Sequence, residues 1–103
     1  MNDAEALKKI AGEAACEFVK TGMRVGLGTG STVKYTVLEL GRRIAEEGLE
    51  IVGVPTSVAT ENLATKVGIP LVELGLLDGL DIVIDGTDWI IISEFFFNKY
   101  RSS

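Results

Sequence analysis

Apolar and polar positions follow two rhythms along this chain, and the changes of rhythm divide it into elements. Leu7, Ile10, Ala11, Ala14, Ala15, Phe18 and Val19 recur at helical spacing. This predicts a first helix with one inward face, Asn2 or Asp3 capping its start and Gly22 ending it. "MRVGLG", Met23 to Gly28, reads as a short strand, after which Val33, Val37, Leu38, Leu40, Ile44 and Ala45 restore the helical period as far as Gly48. "EIVGV", Glu50 to Val54, predicts a second strand, and Ala59, Leu63 and Val67 a third helix closed by Gly68. "IPLVEL", Ile69 to Leu74, and "LDIVID", Leu80 to Asp85, predict two more strands. Strands alternating with helices favour a parallel sheet with right-handed crossovers. The expected fold is therefore α/β: a three-layer, Rossmann-like domain with a short parallel sheet, its strand order left open.

Composition narrows the classes. With 103 residues, 47% hydrophobic and 24% charged, the chain suits one compact domain. A net charge of −5 without a dense Lys/Arg patch argues against a nucleic-acid partner or an anionic membrane surface, although a small anion can still bind locally. The single Cys16 excludes an intrachain disulfide and, with no histidine present, leaves little for a transition-metal site. Cys16 is expected to be a small packing residue. "MNDAEALKK" does not read as a signal peptide, and no apolar run is long enough for a membrane helix. The expected setting is cytoplasmic, and no cofactor is called for.

Ligands of parallel sheets bind beyond the carboxyl ends of the strands, so "GTGST", "PTS" and "DGTD" should gather at one edge. In "GLGTGST" the glycines allow close backbone approach, the amides opening the next helix face whatever sits there, and Thr29, Ser31 and Thr32 add hydroxyl donors. An anion such as a phosphate suits that cradle. The dinucleotide pattern G-x-G-x-x-G fails at Ser31, and the triphosphate pattern fails because Gly30, not Lys, precedes Ser31. The competing reading is a tight turn capped by Ser31. "DGTD" sets Asp85 and Asp88 just past an apolar strand, where paired carboxylates shift each other's protonation and exchange protons with sugar hydroxyls. An Asp-Gly turn followed by a helix-capping Asp is the alternative. "PTS" is expected to be a helix cap, by Thr56 or Ser57, rather than a ligand contact.

Taken in series, "VGLGTGST", "VGVPTS", "GIPL" and "LDIVIDGTD" resemble the amino-terminal half of ribose-5-phosphate isomerase of the A type, from Ala4 to Asp88. The resemblance implies that Thr29, Gly30, Ser31 and Thr32 contact a sugar phosphate, as do Asp85, Gly86, Thr87 and Asp88, with Asp85 and Asp88 the catalytic pair near the reacting carbons. It also implies interconversion of ribose 5-phosphate and ribulose 5-phosphate through an enediolate, in the pentose phosphate pathway and without a metal. Residues 1–88 would form the isomerase-like domain and residues 89–103 a divergent apolar tail. Where the family has a Glu this chain has Trp89, and "WIIISEFFFNKYRSS" offers no match to the family's K-G-G-G loop or its glutamate base. Glu94 and Lys99 stand in the wrong surroundings to inherit those roles. The chain is thus expected to be a truncated form, weak or inactive alone. The alternative is a sugar-phosphate-binding sensor without catalysis, and a third reading is an assembly unit. The tail is expected as a buried strand or helix, and the chain as a homo-oligomer closing an exposed sheet edge.

Overall fold

The sheet is laid around β1 (Arg24–Leu27). In the computed structural model, residues 3–73, 79–85 and 88–91 are described. β2 (Val52–Pro55) pairs parallel to β1 on one side, with Val25 opposite Gly53 and Leu27 opposite Pro55. β3 (Ile82–Asp85) pairs parallel on the other, with Val25 opposite Ile82 and Leu27 opposite Ile84. β4 (Asp88–Ile91) runs antiparallel to β3 and gives the order β2-β1-β3-β4. The apolar tail therefore begins as a strand, and its residues 92–103 lie outside the described residues.

The strand expected at Ile69–Leu74 is reduced to one parallel bridge between Leu71 and Gly53, and Leu74 lies outside the described residues. Gly53 N–H donates to Pro70 O at 2.8 Å and Val72 N–H to Gly53 O at 3.0 Å. Pro70 has no N–H of its own, so a longer ladder would lack a donor there.

Among the described residues three α-helices accompany the sheet: α1 (Asp3–Ala15), α2 (Ser31–Glu47) and α3 (Val58–Lys66). α1 packs on α2 and α2 on α3. α1 stops at Ala15 rather than at Gly22, and a 3-10 turn, Cys16–Phe18, leads on to the extended Val19. α2 ends as expected at Gly48, whose φ of +72° lets Leu49 N–H reach back to Arg43 O at 3.2 Å.

The inward faces differ from those expected. Leu7 and Ile10 are 65% and 63% exposed, whereas Gly12, Ala15 and Cys16 are buried. A close helix crossing selects the small residues: a Cβ built on Gly12 would stand 2.5 Å from Thr32 O and 2.9 Å from Tyr35 Cβ. Thr36 Oγ1 donates to Gly12 O across the same contact at 2.7 Å. Cys16 fills a packing role there, and burial pushes its thiol up to about 12. Val25, Leu27, Ile82 and Ile84 of the sheet meet Val33, Val37 and Leu40 of α2 and Ala64 of α3 in one core. Among the described residues no helix is long and apolar enough to cross a membrane.

Candidate functional site

β1 leaves the sheet at Gly28, and the neighbouring strands hold it there. Thr56 N–H and Thr56 Oγ1, just past β2, donate to Leu27 O at 3.0 and 3.2 Å. Gly28 N–H donates to Ile84 O of β3 at 2.8 Å. Beyond Gly28 the chain passes exposed Thr29 and Gly30 into α2. Gly30 caps that helix with φ +112° and ψ 169°, a conformation that a side chain would strain. This corrects the reading of Ser31 as the cap: Ser31 is the first helical residue, and no side-chain capping bond closes this terminus. No side-chain oxygen of the cap therefore competes for the first amides of this helix.

The electrostatics suit an anion. Aligned peptide dipoles place roughly half a positive charge at a helix N-terminus. No acidic residue stands in the first turn of α2 to neutralise it. Lys34, exposed on that turn, lines a crevice of about 260 Å³ with Thr29, Gly30, Val37, Ala59, Thr60 and Leu63.

The carboxylate side of the site approaches from β3. Asp85 ends that strand, exposed, with its carboxyl packed on Gly28: a Cβ built on Gly28 would lie 2.5 Å from Asp85 Cγ and 2.8 Å from its Cβ. Gly28 is therefore a site residue through close approach. Asp88 opens β4 directly opposite Asp85 in the antiparallel register, which corrects the alternative of a helix-capping Asp. The backbone thus brings the two expected carboxylate residues to one end of the sheet. Gly86 and Thr87 lie outside the described residues.

Of the four expected cradle residues, Thr29, Gly30 and Ser31 are exposed at this edge, but Thr32 is only 6% exposed. That burial sets it apart from the other three. "PTS" is a cap as expected: Ser57 precedes α3, and its Oγ accepts from Thr60 N–H at 3.2 Å. It also reaches the cradle, since Ser57 Oγ lies 3.5 Å from Thr29 Oγ1 and Thr60 Oγ1 donates to Gly28 O at 2.8 Å. The sequence reading missed Thr60 and Lys34 at this edge, and it held Gly28 only as part of the glycine loop and Ser57 only as a helix cap. The Ser-x-x-Thr spacing was visible, but its reach across to β1 was not.

Comparison with known proteins gives the same answer as the motifs. Residues 52–94 match the family model of ribose 5-phosphate isomerase A (phosphoriboisomerase A), running past Asp88 into the apolar tail. Ribose-5-phosphate isomerase A of Streptococcus uberis is 55% identical over 84 residues, 82% of this chain and 37% of that protein. The isomerase A structure from Methanocaldococcus jannaschii is 48% identical with a TM-score of 0.76, over 80% of this chain and 36% of that one. A D-ribose-5-phosphate isomerase solved in complex with phospho-erythronic acid is 41% identical with a TM-score of 0.79, covering 84% and 38% of the two chains. The chain spans little more than a third of the length of these relatives, and over that stretch it is similar in sequence and in fold to ribose-5-phosphate isomerase A.

Proposed function

We propose that this chain binds a five-carbon sugar phosphate of the ribose 5-phosphate type at the carboxyl edge of β1 and β3. It would supply the substrate-holding part of an aldose-ketose isomerase. The observation that carries the reading is the junction at Gly28. A single glycine joins a glycine-capped helix N-terminus free of first-turn acids to a strand-end carboxylate packed against it. The first is suited to a phosphate and the second to sugar hydroxyls or a carbon-bound proton. The relative solved with phospho-erythronic acid, a phosphorylated sugar acid, supports the ligand class. In this arrangement Thr29, Gly30, Ser31 and the Thr32 amide hold the phosphate. Asp85 contacts the sugar, and the resemblance assigns Gly86, Thr87 and Asp88 to the same ligand.

Calorimetric titration with ribose 5-phosphate tests the reading. Binding is expected, with Ser31→Ala and Asp85→Asn each weakening it about three- to thirtyfold, the range for losing one hydrogen bond to a charged or polar partner. Unchanged affinity in both variants, or no binding by the unaltered chain, would place the site elsewhere.

A further inference from the structure

Resting on that reading, we infer that Thr60 and Ser57 of the α3 N-terminus are positioning residues for the phosphate cradle, setting the orientation of the Gly28-Thr29 peptide. Thr60 is 7% exposed, and its hydroxyl spans from α3 to the loop after β1. Gly28 O is an acceptor only, so the Thr60 proton is committed to it at 2.8 Å. Thr60 Oγ1 must then accept from Ser57 Oγ, 3.0 Å away, and Ser57 in turn accepts from Thr60 N–H at 3.2 Å. The hydroxyl chain therefore has one direction, Ser57 to Thr60 to Gly28.

That direction has two consequences for a ligand. A trans peptide carries its C=O and the following N–H on opposite sides, so fixing Gly28 O toward Thr60 aims the Thr29 N–H away from α3. The single Ser57 proton is taken by the shorter contact to Thr60 rather than by Thr29 Oγ1 at 3.5 Å. Thr29 keeps its own hydroxyl proton to donate. A loop containing Gly28 and Gly30 has many backbone states, and without the Thr60 bond the cradle would have to be ordered by the ligand at the expense of affinity.

The test is titration of the 103-residue chain with ribose 5-phosphate in three variants. Thr60→Val keeps the shape and removes the hydroxyl, and is expected to weaken binding about tenfold. Thr60→Ser restores the hydroxyl without the methyl and should return affinity to within about twofold of the unaltered chain, a rescue that loss of packing alone would not give. Ser57→Ala should weaken binding several-fold, and it carries the test if Thr60→Val does not fold. Binding by the unaltered chain with Thr60→Val at full affinity, or with Thr60→Ser as weak as Thr60→Val, overturns this inference alone. If Thr60→Val is unfolded, full affinity in Ser57→Ala overturns it. No binding by the unaltered chain overturns the sugar-phosphate reading, and this inference with it.

Discussion

Arg24 and Asp81 show what a single residue pair contributes at the end of the sheet opposite the cradle. Arg24 donates to the Asp81 carboxylate three times, from its backbone N–H at 2.8 Å, Nε at 3.1 Å and Nη2 at 3.3 Å. Asp81 N–H returns a bond to Arg24 O at 2.9 Å, so the pair sets the register of β1 against β3. The Arg24 hydrogen bonds hold the Asp81 carboxyl below the usual carboxylate range, against a smaller opposing effect of burial. The side chains remain 34% and 25% exposed, so solvent screening limits the contribution to about 1 kcal/mol. A carboxyl depressed in the folded state stabilises fully above its unfolded value, about 3.9, and that stabilisation fades as pH falls through the folded value. Urea unfolding is therefore expected to show the chain losing about 1 kcal/mol relative to Asp81→Asn between about pH 5 and pH 2. Parallel pH profiles for the two proteins would contradict the assignment.

At the scale of elements, the α1–α2 contact sets helix propensity against packing. Alanine is favoured over glycine inside a helix by about 1 kcal/mol, which taken alone makes Gly12→Ala stabilising. The new methyl would meet Thr32 O at 2.5 Å and Thr36 N at 3.1 Å, both backbone atoms of α2 that cannot rotate aside. Overpacking against a rigid neighbour costs about 1–3 kcal/mol, so a net loss of up to about 2 kcal/mol is expected in urea unfolding. A more stable Gly12→Ala protein would mean that α1 is free to shift. The same contact explains what was legible. The number and order of helices, the strands at β1, β2 and β3, and the stops at Gly48 and Gly68 follow from local rules of spacing and punctuation. Which face of α1 turns inward follows only in part, because hydrophobicity pointed to Leu7 and Ile10 as well as Ala15, while the close crossing required Gly12, Ala15 and Cys16. α3 repeats the pattern, burying Thr60 and Ala64 while Ala59 is exposed. Placement at the sheet edge was legible wherever the residues sat in one contiguous motif, as at Thr29–Ser31 and Asp85. It was hidden where it arises from two strands meeting: Thr60 joins the cradle only because β2 lies beside β1, an adjacency no single motif encodes.

For the molecule as a whole, holding a substrate and turning it over are separable demands, and the proposed site bears on the first. The proposed phosphate site is the loop after β1, which hydrogen bonds from β2, β3 and α3 hold in place. Enediolate chemistry further needs a group that takes a proton from one carbon and returns it to the next, within hydrogen-bond reach of both. Asp85 is the one expected catalytic carboxylate whose side chain is described, and it packs on Gly28. In the resemblance that role falls to a glutamate beyond a K-G-G-G loop, and residues 89–103 contain no match to either. A positioned general base contributes about 10²- to 10⁴-fold in rate. The 103-residue polypeptide is therefore expected to turn over ribose 5-phosphate at least about a hundredfold more slowly than full-length Streptococcus uberis isomerase A assayed beside it, while still binding the sugar phosphate. A rate within tenfold of that enzyme would show that Asp85, Asp88 or a residue of the tail supplies the base. Asp85→Asn would then discriminate, abolishing turnover if that carboxylate moves the proton and lowering only affinity if it merely orients the sugar.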